Sequence, residues 1–298
     1  MGHPNCVICG GSATPHFERE VLGRHRARYF HCPHCVSIFV AEPHWLPEAY
    51  AEALNAFDTG SVARNLGFAR LLTPLLYLHC GPDFRYLDHG AGYGLLVRMM
   101  RDIGFDYRWQ DLHARNLFAR GFEGQDGDRY AAVSAFEVLE HLVDPSAEIA
   151  RLADMADTLV FSTELWSGRP PQPEEWSYFA FQHGQHVMFY SRRTLEHLAT
   201  RHGYRLISDG RGFHVMTRRP DPGGIVEAIV SRGRVGRARL AARAAAGPPL
   251  PLPSFLVTGT AVSLRHLDRA VRRRMTSRTI SDHELLLSQF ASTAGAGR

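Results

Sequence analysis

The chain has 298 residues, of which 45% are hydrophobic and 21% charged, a composition typical of a globular protein with one main domain and smaller attachments. No apolar run reaches the roughly 20 residues that a membrane span needs, and the first six residues contain no apolar signal core, so the expected location is the cytoplasm. All 34 basic residues are Arg, which excludes Schiff-base chemistry and a P-loop lysine.

The formal net charge of +4 is unevenly distributed along the chain. Between residues 211 and 278 there are 14 Arg against three acidic residues, whereas the rest of the chain is net acidic. Two interpretations stay open for this segment. It is either a solvated Arg-rich surface or a surface that binds an anionic partner.

Four of the five cysteines occur in two closely spaced pairs, Cys6-x-x-Cys9 and Cys32-x-x-Cys35. Each pair places two thiolates on one turn, and both pairs together complete a tetrahedral zinc site. Four thiolates leave no open position, so the predicted Zn²⁺ is structural. The other interpretations are disulfides, which a reducing compartment disfavours, and a redox pair, which requires a thioredoxin-like context.

Downstream of this module, helical and strand-like segments alternate. Apolar residues between Leu66 and Leu76 have helical spacing, and Gly81-Pro82 ends that helix. We predict strands at 84–88, 107–111, 131–136, 158–163, 204–208 and 213–217, and helices at 95–103, 144–155 and 191–202. This alternation predicts a mostly parallel α/β sheet covered by helices on both faces, with the last two strands as an antiparallel edge hairpin.

The composition changes after Arg218. Chain breakers occur at 220–224 and 248–253, and the Arg-rich stretches between and after them predict a helical extension. The expected division is therefore a zinc-ribbon-like module at 1–45, an α/β domain at 46–218 and an Arg-rich, helical C-terminal extension at 219–298.

A glycine-rich loop joins the first predicted strand to the next helix. Asp88 ends the strand, and Gly90, Gly92 and Gly94 follow it. Glycines allow a ligand to approach the backbone closely, and the helix N-terminus offers unpaired N–H groups. A dinucleotide motif G-x-G-x-x-G would require glycine where this chain has Leu95, so a nicotinamide cofactor is excluded.

This loop resembles the first motif of class I S-adenosylmethionine-dependent methyltransferases. Asp111 follows Asp88 by 23 residues, where that family places an acid on the ribose hydroxyls of the cofactor, and a carboxylate can accept from both. The stretch from Phe136 to Pro145 resembles the family's fourth-strand exit, which lies against cofactor and acceptor. The resemblance implies a Rossmann-like seven-stranded sheet, S-adenosyl-L-methionine as cofactor, and a cofactor site made of Asp88, Gly90, Ala91, Gly92, Gly94, Asp111, Leu112, Phe136 and Glu137.

Two features depart from the family pattern. His89 stands where the family has an apolar or small residue. The segment between Asp111 and Tyr130 is short and polar, so the third strand and the adenine contact have no assignment. The zinc-ribbon-like module ahead of a methyltransferase domain is similar to the layout of bacterial enzymes that methylate sugars and natural products. The resemblance implies a small-molecule acceptor, namely a sugar, a nucleotide-linked sugar or a natural-product intermediate, with an anionic or sugar-linked group.

A hydroxyl or carbon-acid acceptor needs a general base, and histidine is the usual choice near neutral pH. Three histidines follow predicted strands, at the sheet edge where ligands bind in this fold. We rank His186 first, His141 second and His183 third, and we expect Glu140 and Glu137 to orient them. A structural hydrogen bond within a loop or helix cap is the alternative for each histidine.

An aromatic segment precedes the last two of these histidines. It contains Trp166, Trp176, Tyr178, Phe179 and Phe181, and several prolines lie between them. Aromatic faces suit sugar rings and planar acceptors. The segment is either a substrate lid or a packing loop.

Two other functions compete with small-molecule methylation. A nucleic-acid (RNA) methyltransferase would use the zinc module and the Arg-rich tail, but the chain lacks the Asn/Asp-Pro-Pro-Tyr/Phe motif of base amino-group methylation, so a nucleic acid is not the expected partner. The second competing function is a cofactor-binding module without catalytic activity. The intact glycine loop and Asp111 argue against this function. The sequence indicates neither the methylated atom nor the oligomeric state.

Overall fold

The structure is a computed structural model that describes residues 4–51, 58–125, 127–232, 235–236 and 261–295. The chain divides into two compact units. The first comprises Met1–Asp58, Leu112–Ala114 and Ala132–Pro220, and the second comprises Thr59–Asp111, Arg115–Ala131 and Asp221–Arg298.

The first unit begins with a five-stranded sheet. Its strands are β1 (Thr14–Val21), β2 (His25–Cys32), β3 (Ser37–Val40), β8 (Leu165–Trp166) and β9 (Met188–Ser191), in the order β1-β2-β3-β9-β8. The turn between β1 and β2 has Leu22 and Gly23 at positive φ, which matches the twist of a tight hairpin. A short helix, α1 (Leu46–Ala49), follows β3. The N-terminal module therefore completes its sheet with strands that come more than 120 residues later in the sequence.

A second group of strands in this unit follows the predicted α/β pattern. It contains β6 (Ala132–Phe136), β7 (Thr158–Ser162), β10 (Arg205–Ser208) and β11 (Phe213–Thr217). Strands β6 and β7 are parallel, whereas β11 is antiparallel to both β7 and β10. All five residues of β7 are buried, as expected for a strand covered on both faces. The predicted antiparallel hairpin is confirmed.

The two long helices of the first unit begin at residues that the sequence identifies. Helix α4 (Pro145–Met155) starts after Asp144, whose side chain accepts a hydrogen bond from the N–H of Ala147. Helix α5 (Arg192–Arg201) starts after Ser191, which forms a reciprocal capping pair with Thr194. Capping of this kind satisfies N–H groups that have no partner within the helix.

The second unit carries the glycine loop. Helix α2 (Ser61–His79) precedes β4 (Arg85–His89), and helix α3 (Leu95–Ile103) connects β4 to its parallel neighbour β5 (Asp106–Gln110). The C-terminal part contributes α6 (Ile225–Val230), α7 (Leu264–Arg272), α8 (Thr279–Gly295) and the short pair β12 (Val235–Gly236) and β13 (Ala261–Val262). A helical C-terminal region is thus confirmed, although residues 237–260 lie outside the described ones.

The strand count differs from the expectation of seven. Within the described residues, the Rossmann-like pattern has four strands in the first unit and two in the second. The segment after β5 forms only an isolated bridge between Trp109 and Glu123. Polar residues and glycines interrupt this segment, so it offers no continuous apolar run to a sheet. The mixed α/β class with a parallel-rich sheet is confirmed.

The aromatic segment packs into the core of the first unit. Phe179 is buried and makes edge-to-face contacts with Phe17, Tyr29 and Phe189, whose ring centroids lie 4.8 to 5.9 Å away. Trp166 and Phe179 belong to one hydrophobic cluster with β1, β2 and β9. Of the two interpretations of this segment, the contacts favour the packing loop.

None of the described helices combines the length and the apolar content that crossing a membrane would require.

Candidate functional site

The two cysteine pairs meet in the first unit. The Sγ atoms of Cys6 and Cys35 lie 3.5 Å apart, as do those of Cys9 and Cys32, and all four lie within 4.8 Å of one another. Four sulfurs at Zn–S distances of about 2.3 Å stand about 3.8 Å apart in a tetrahedron. The cluster therefore has the donor set and the spacing for a four-coordinate metal ion.

Both pairs use the same backbone geometry. Gly10 follows Cys9 at φ 73° and Val36 follows Cys35 at φ 61°. The N–H of Gly10 donates to the carbonyl of Cys6 at 2.8 Å, and the N–H of Val36 donates to the carbonyl of Cys32 at 2.9 Å. A left-handed β-branched residue is strained. The second turn thus adopts the conformation of the first, although it has Val36 where the first has Gly10, which adopts a positive φ without strain.

The glycine loop is ordered by contacts within the second unit. Gly90, Gly92 and Gly94 all have positive φ, and Trp109 Nε1 donates to the carbonyl of Gly92 at 2.8 Å. A Cβ at Gly94 would come within 3.2 Å of both the backbone and side chain of Ala119, whereas a Cβ at Gly92 would meet no protein atom within 4 Å. Gly94 is therefore needed for packing, and Gly92 borders open space where a ligand can approach the backbone.

Asp111 and the loop are joined directly. The N–H of Gly92 donates to a carboxylate oxygen of Asp111 at 2.8 Å, and the N–H of Ala91 donates to the carbonyl of Gln110 at 3.1 Å. His89 lies at hydrogen-bond distance from the same residue, with 3.1 Å between its Nδ1 and the Gln110 Oε1. Asp88 is buried at the end of β4. The structure thus brings Asp88, the three glycines and Asp111 together within one unit.

The remaining predicted cofactor residues lie in the first unit. The ring of Phe136, at the end of β6, stacks on Phe213 with centroids 6.1 Å apart. Glu137 follows at φ 55°, and it is held there by Ser162, which accepts from its N–H and donates to its carboxylate. Strained backbone of this kind is common at functional sites. Leu112 is 86% exposed.

The three predicted histidines lie side by side. The rings of His141 and His186 are 5.0 Å apart, and those of His183 and His186 are 4.9 Å apart, both in edge-to-face orientation. Glu140 is adjacent, since it offers a ligand atom within 4.8 Å of His141 and His186. We call Glu140, His141, His183 and His186 the histidine cluster.

Hydrogen bonds distinguish the three imidazoles. Nδ1 of His186 donates to the carbonyl of Tyr178 at 2.6 Å. The neutral ring therefore has its free lone pair on Nε2. Nδ1 of His183 accepts from the N–H of Gln185 at 3.2 Å, so the neutral ring carries its proton on Nε2. Nδ1 of His141 lies 2.8 Å from the hydroxyl of Tyr50. His186 is therefore better arranged than His183 to accept a proton.

Burial shifts the pKa values in the cluster. It raises the pKa of Glu140 to about 8, with a further increase from the charge of Glu137, against the nearby hydroxyls of Tyr178 and Thr163. Burial likewise lowers the pKa of His186 to about 3 and that of His141 well below its ordinary value, and neighbouring histidines add to both effects. The imidazoles are consequently neutral near pH 7.

Sequence reasoning missed the residues that support this cluster. Tyr50 contacts His141 through its hydroxyl and stacks on His113 with ring centroids 4.3 Å apart. The main chain of Tyr178 holds His186, although the sequence singled out Tyr178 only as an aromatic side chain. No local motif marks Tyr50, because its contact with His141 spans 91 residues.

Comparisons with solved structures give low sequence identity and partial overlap. A magnesium protoporphyrin IX methyltransferase from Synechocystis PCC 6803, with bound SAH, is 18% identical, and the match covers 58% of this chain and 92% of that one at a TM-score of 0.39. A 1,6-didemethyltoxoflavin-N1-methyltransferase from Burkholderia thailandensis is 16% identical. The match covers 69% of this chain and 98% of that one at a TM-score of 0.42. An amino pentose methyltransferase from Micromonospora echinaspora is 15% identical. The match covers 56% of this chain and 99% of that one at a TM-score of 0.38.

The family assignment rests on the sequence rather than on these overlaps, since all three TM-scores lie below 0.5. A comparison with curated protein sequences gives no match. The family model described as "Methyltransferase domain" matches residues 44–209, more than half of the chain. The chain therefore belongs to the methyltransferase-domain family, and the prediction of an S-adenosylmethionine-dependent methyltransferase is confirmed at the level of the family.

Proposed function

We propose that this protein transfers a methyl group from S-adenosyl-L-methionine to a small-molecule acceptor, namely a sugar, a nucleotide-linked sugar or a natural-product intermediate. The observation that carries the proposal is the hydrogen bond from the Gly92 N–H to the Asp111 carboxylate, within a chain that the family model identifies as a methyltransferase. It orients an acid beside a glycine whose Cβ position is open.

The glycine loop and Asp111 are proposed to hold the donor. S-adenosyl-L-methionine supplies an electrophilic methyl group on a positively charged sulfur. Asp111 has its carboxylate fixed by Gly92 and accepts from ribose hydroxyls, and the N-terminus of α3 offers N–H groups to the ligand. Ala91 belongs to the same loop, and the family resemblance is the basis for proposing Leu112, Phe136 and Glu137 as further cofactor residues.

The histidine cluster is proposed to prepare the acceptor. An acceptor hydroxyl must lose its proton as its oxygen forms the new bond to carbon, while the electron pair of the broken sulfur–carbon bond stays on sulfur. Nε2 of His186 is the first candidate to take that proton, because its Nδ1–H is held by the Tyr178 carbonyl. His141 is the second, and His183 is the third because its Nδ1 already accepts from Gln185. Glu140 is proposed to orient the imidazoles of His141 and His186.

The four-cysteine cluster is proposed to bind a structural zinc ion. Its four sulfurs supply a complete tetrahedral shell, so the ion stabilises the fold and takes no part in the reaction. The boundaries 1–45, 46–218 and 219–298 remain our proposed division into zinc-ribbon-like module, methyltransferase domain and C-terminal extension. The small-molecule acceptor is supported by this layout, which resembles that of sugar and natural-product methyltransferases.

The donor is tested by calorimetry with S-adenosyl-L-methionine on the parent protein and on Asp111→Ala. We expect binding to the parent and a loss of about 10- to 100-fold in affinity for the variant, because hydrogen bonds to a charged group contribute about 1.5–3 kcal/mol. Asp102→Ala, at a half-exposed site on α3, is the matched control. Absence of binding to the parent protein would refute the proposed function.

The acceptor is tested by transfer of a labelled methyl group to a panel of sugars, nucleotide-linked sugars and aglycones. Release of S-adenosylhomocysteine is the second readout. We expect transfer to members of one acceptor class and a large loss of turnover in His186→Gln. Binding of the donor without transfer to any acceptor would support the catalytically silent module instead.

A further inference from the structure

The histidine cluster contains a set of metal-ligating atoms that general-base chemistry does not require. Glu140, His141 and His186 each offer one donor atom, and the three atoms lie within 4.8 Å of one another. Two imidazole nitrogens and one carboxylate are the ligands of several catalytic Zn²⁺ and Fe²⁺ sites. The set is separate from the four cysteines, which form the other such group among the described residues.

Glu140 is the least expected member of this set. It is 0% exposed, and neither of its carboxylate oxygens has a hydrogen-bond partner of normal geometry among the described residues. The carboxylate of Glu137 lies near enough to disfavour its charge. Burial of a charged carboxylate is unfavourable unless a proton, a hydrogen bond or a cation compensates the charge.

Another buried acid shows how this chain usually compensates such a charge. Asp282 in α8 is 4% exposed, and it receives hydrogen bonds from the guanidinium groups of Arg98 and Arg101 at 2.7–2.9 Å. No Arg in the described part of the chain forms such a pair with Glu140. A bound cation would supply Glu140 with the positive charge that Arg98 and Arg101 supply to Asp282.

The two imidazoles are arranged as metal ligands are. The Nδ1–H of His186 is fixed by the Tyr178 carbonyl, so Nε2 is available. In the tautomer of His141 that donates from Nδ1 to the Tyr50 hydroxyl, Nε2 is available as well. Metal-binding histidines commonly donate their second N–H to a carbonyl or another oxygen, which fixes the orientation of the ring.

Hydrogen bonds to two backbone carbonyls hold the segments that carry the three ligands. The N–H of Val187 donates to the carbonyl of Glu140 at 2.8 Å, and the hydroxyl of Tyr190 donates to the carbonyl of Leu139 at 2.6 Å. These bonds tie the 3₁₀ helix Leu139–His141 to the segment that carries His186. A cation with ligand distances of about 2.0–2.2 Å would draw the donors together by roughly 1 Å, a change that side-chain rotation can provide.

We propose that Glu140, His141 and His186 bind one divalent first-row cation, of the Mn²⁺ or Zn²⁺ class, beside the acceptor. The inference rests on the proposed function of the cluster and refines it. With the cation bound, the Nε2 atoms would be ligands, and the cation would lower the pKa of an acceptor hydroxyl so that its proton could pass to solvent water. His186 would then act as a ligand and no longer as the direct base.

The probe for this site is Mn²⁺, followed by its electron paramagnetic resonance signal during titration of the protein with its cysteine site filled by zinc. We expect one bound Mn²⁺ per chain in the parent and a loss of more than about 100-fold in affinity in both Glu140→Gln and His186→Gln. His44→Gln, at an exposed histidine of the same unit, is the matched control and should bind like the parent.

A second measurement does not depend on whether the variants fold. Pulsed resonance spectra of Mn²⁺ on the parent protein should show coupling to two imidazole nitrogens. Binding without nitrogen coupling, unchanged binding in Glu140→Gln, or no binding to the parent would each overturn the inference. Metal-independent methyl transfer that His186→Gln abolishes would also overturn it, while leaving the proposed function with His186 as the direct base.

Discussion

Asp282 and Arg101 form a buried, two-pronged ion pair. Arg101 Nε donates to Asp282 Oδ2 at 2.8 Å, and Arg101 Nη2 donates to Asp282 Oδ1 at 2.7 Å. The pair joins α8 to α3, the helix that follows the glycine loop. The guanidinium also lies 3.7 Å from the centroid of the Phe122 ring. The C-terminal extension is therefore anchored to the helix that begins at the proposed cofactor site.

Loss of this pair should destabilise the second unit. Asp282→Asn keeps the size of the side chain but leaves the charge of Arg101 buried with Asp106 as its remaining acidic partner. We expect a decrease of about 3 kcal/mol in the free energy of unfolding, measured by urea denaturation, because breaking a buried pair leaves an uncompensated charge. Glu196→Gln, which removes an exposed pair with Arg192, should cost less than about 0.5 kcal/mol. Equal effects of the two substitutions would contradict this interpretation.

Gly94 should not tolerate a side chain. It has φ 87°, and a Cβ would lie 3.1 Å from the Ala119 Cβ and 3.2 Å from the Ala119 nitrogen. We expect Gly94→Ala to lower the free energy of unfolding by about 1–3 kcal/mol and to weaken donor binding, because both backbone strain and overpacking act there. Thermal unfolding and calorimetry measure the two effects. Gly67→Ala, in α2 with no atom near its Cβ position, should be neutral or stabilising.

The cysteine cluster should hold one zinc ion. Cys80, which lies outside the cluster, should not contribute to its binding. We expect Cys32→Ser to lose one equivalent of zinc relative to the parent, measured by elemental mass spectrometry, and to unfold at a lower temperature. Binding of structural zinc is part of the folding free energy, and β3 begins two residues after Cys35. Cys80→Ser, outside the cluster, should keep its zinc. Equal zinc content in both variants would argue against the site.

His214 should make stability depend on pH in the acidic range. Burial lowers its pKa to about 4 and outweighs the opposite effects of the Thr163 carbonyl and of the Asp209 charge; that carbonyl accepts from Nε2 at 2.9 Å. The unfolded chain binds this proton near pH 6.5. The stabilisation of about 3 kcal/mol is therefore present above pH 6.5 and is lost as the pH falls to 4.

His214→Gln retains a donor and an acceptor but does not titrate. Between pH 6.5 and 4 we expect the unfolding free energy of the parent to fall more steeply with pH than that of the variant. The difference in slope should correspond to at most one bound proton. Chemical denaturation at several pH values measures this slope. His44→Gln, at an exposed position, should follow the parent. Parallel slopes for the parent and His214→Gln would show that His214 is not the source.

Local spacing was sufficient for the elements whose contacts are close in sequence. Helix α3 occupies the residues predicted for it, and Ser191 caps α5 as expected. The glycine loop follows the same rule, since its glycines and Asp111 lie within one strand–helix–strand segment. Strands β8 and β9 were not predicted, because they belong to the sheet of β3, more than 120 residues earlier in the chain, and no local period marks that pairing.

The sequence by itself determined the kind of chemistry in this protein, because the Asp88-to-Gly94 loop, Asp111 and the two cysteine pairs are patterns of fixed, short spacing. The tertiary structure alone decided which side chains share a site. It brings His186 beside Glu140 and His141, and Tyr50 beside His141. These contacts depend on β9 pairing with β3 across about 150 residues. Pairing at that distance is selected by packing and hydrogen bonding of the whole fold, which no local pattern encodes.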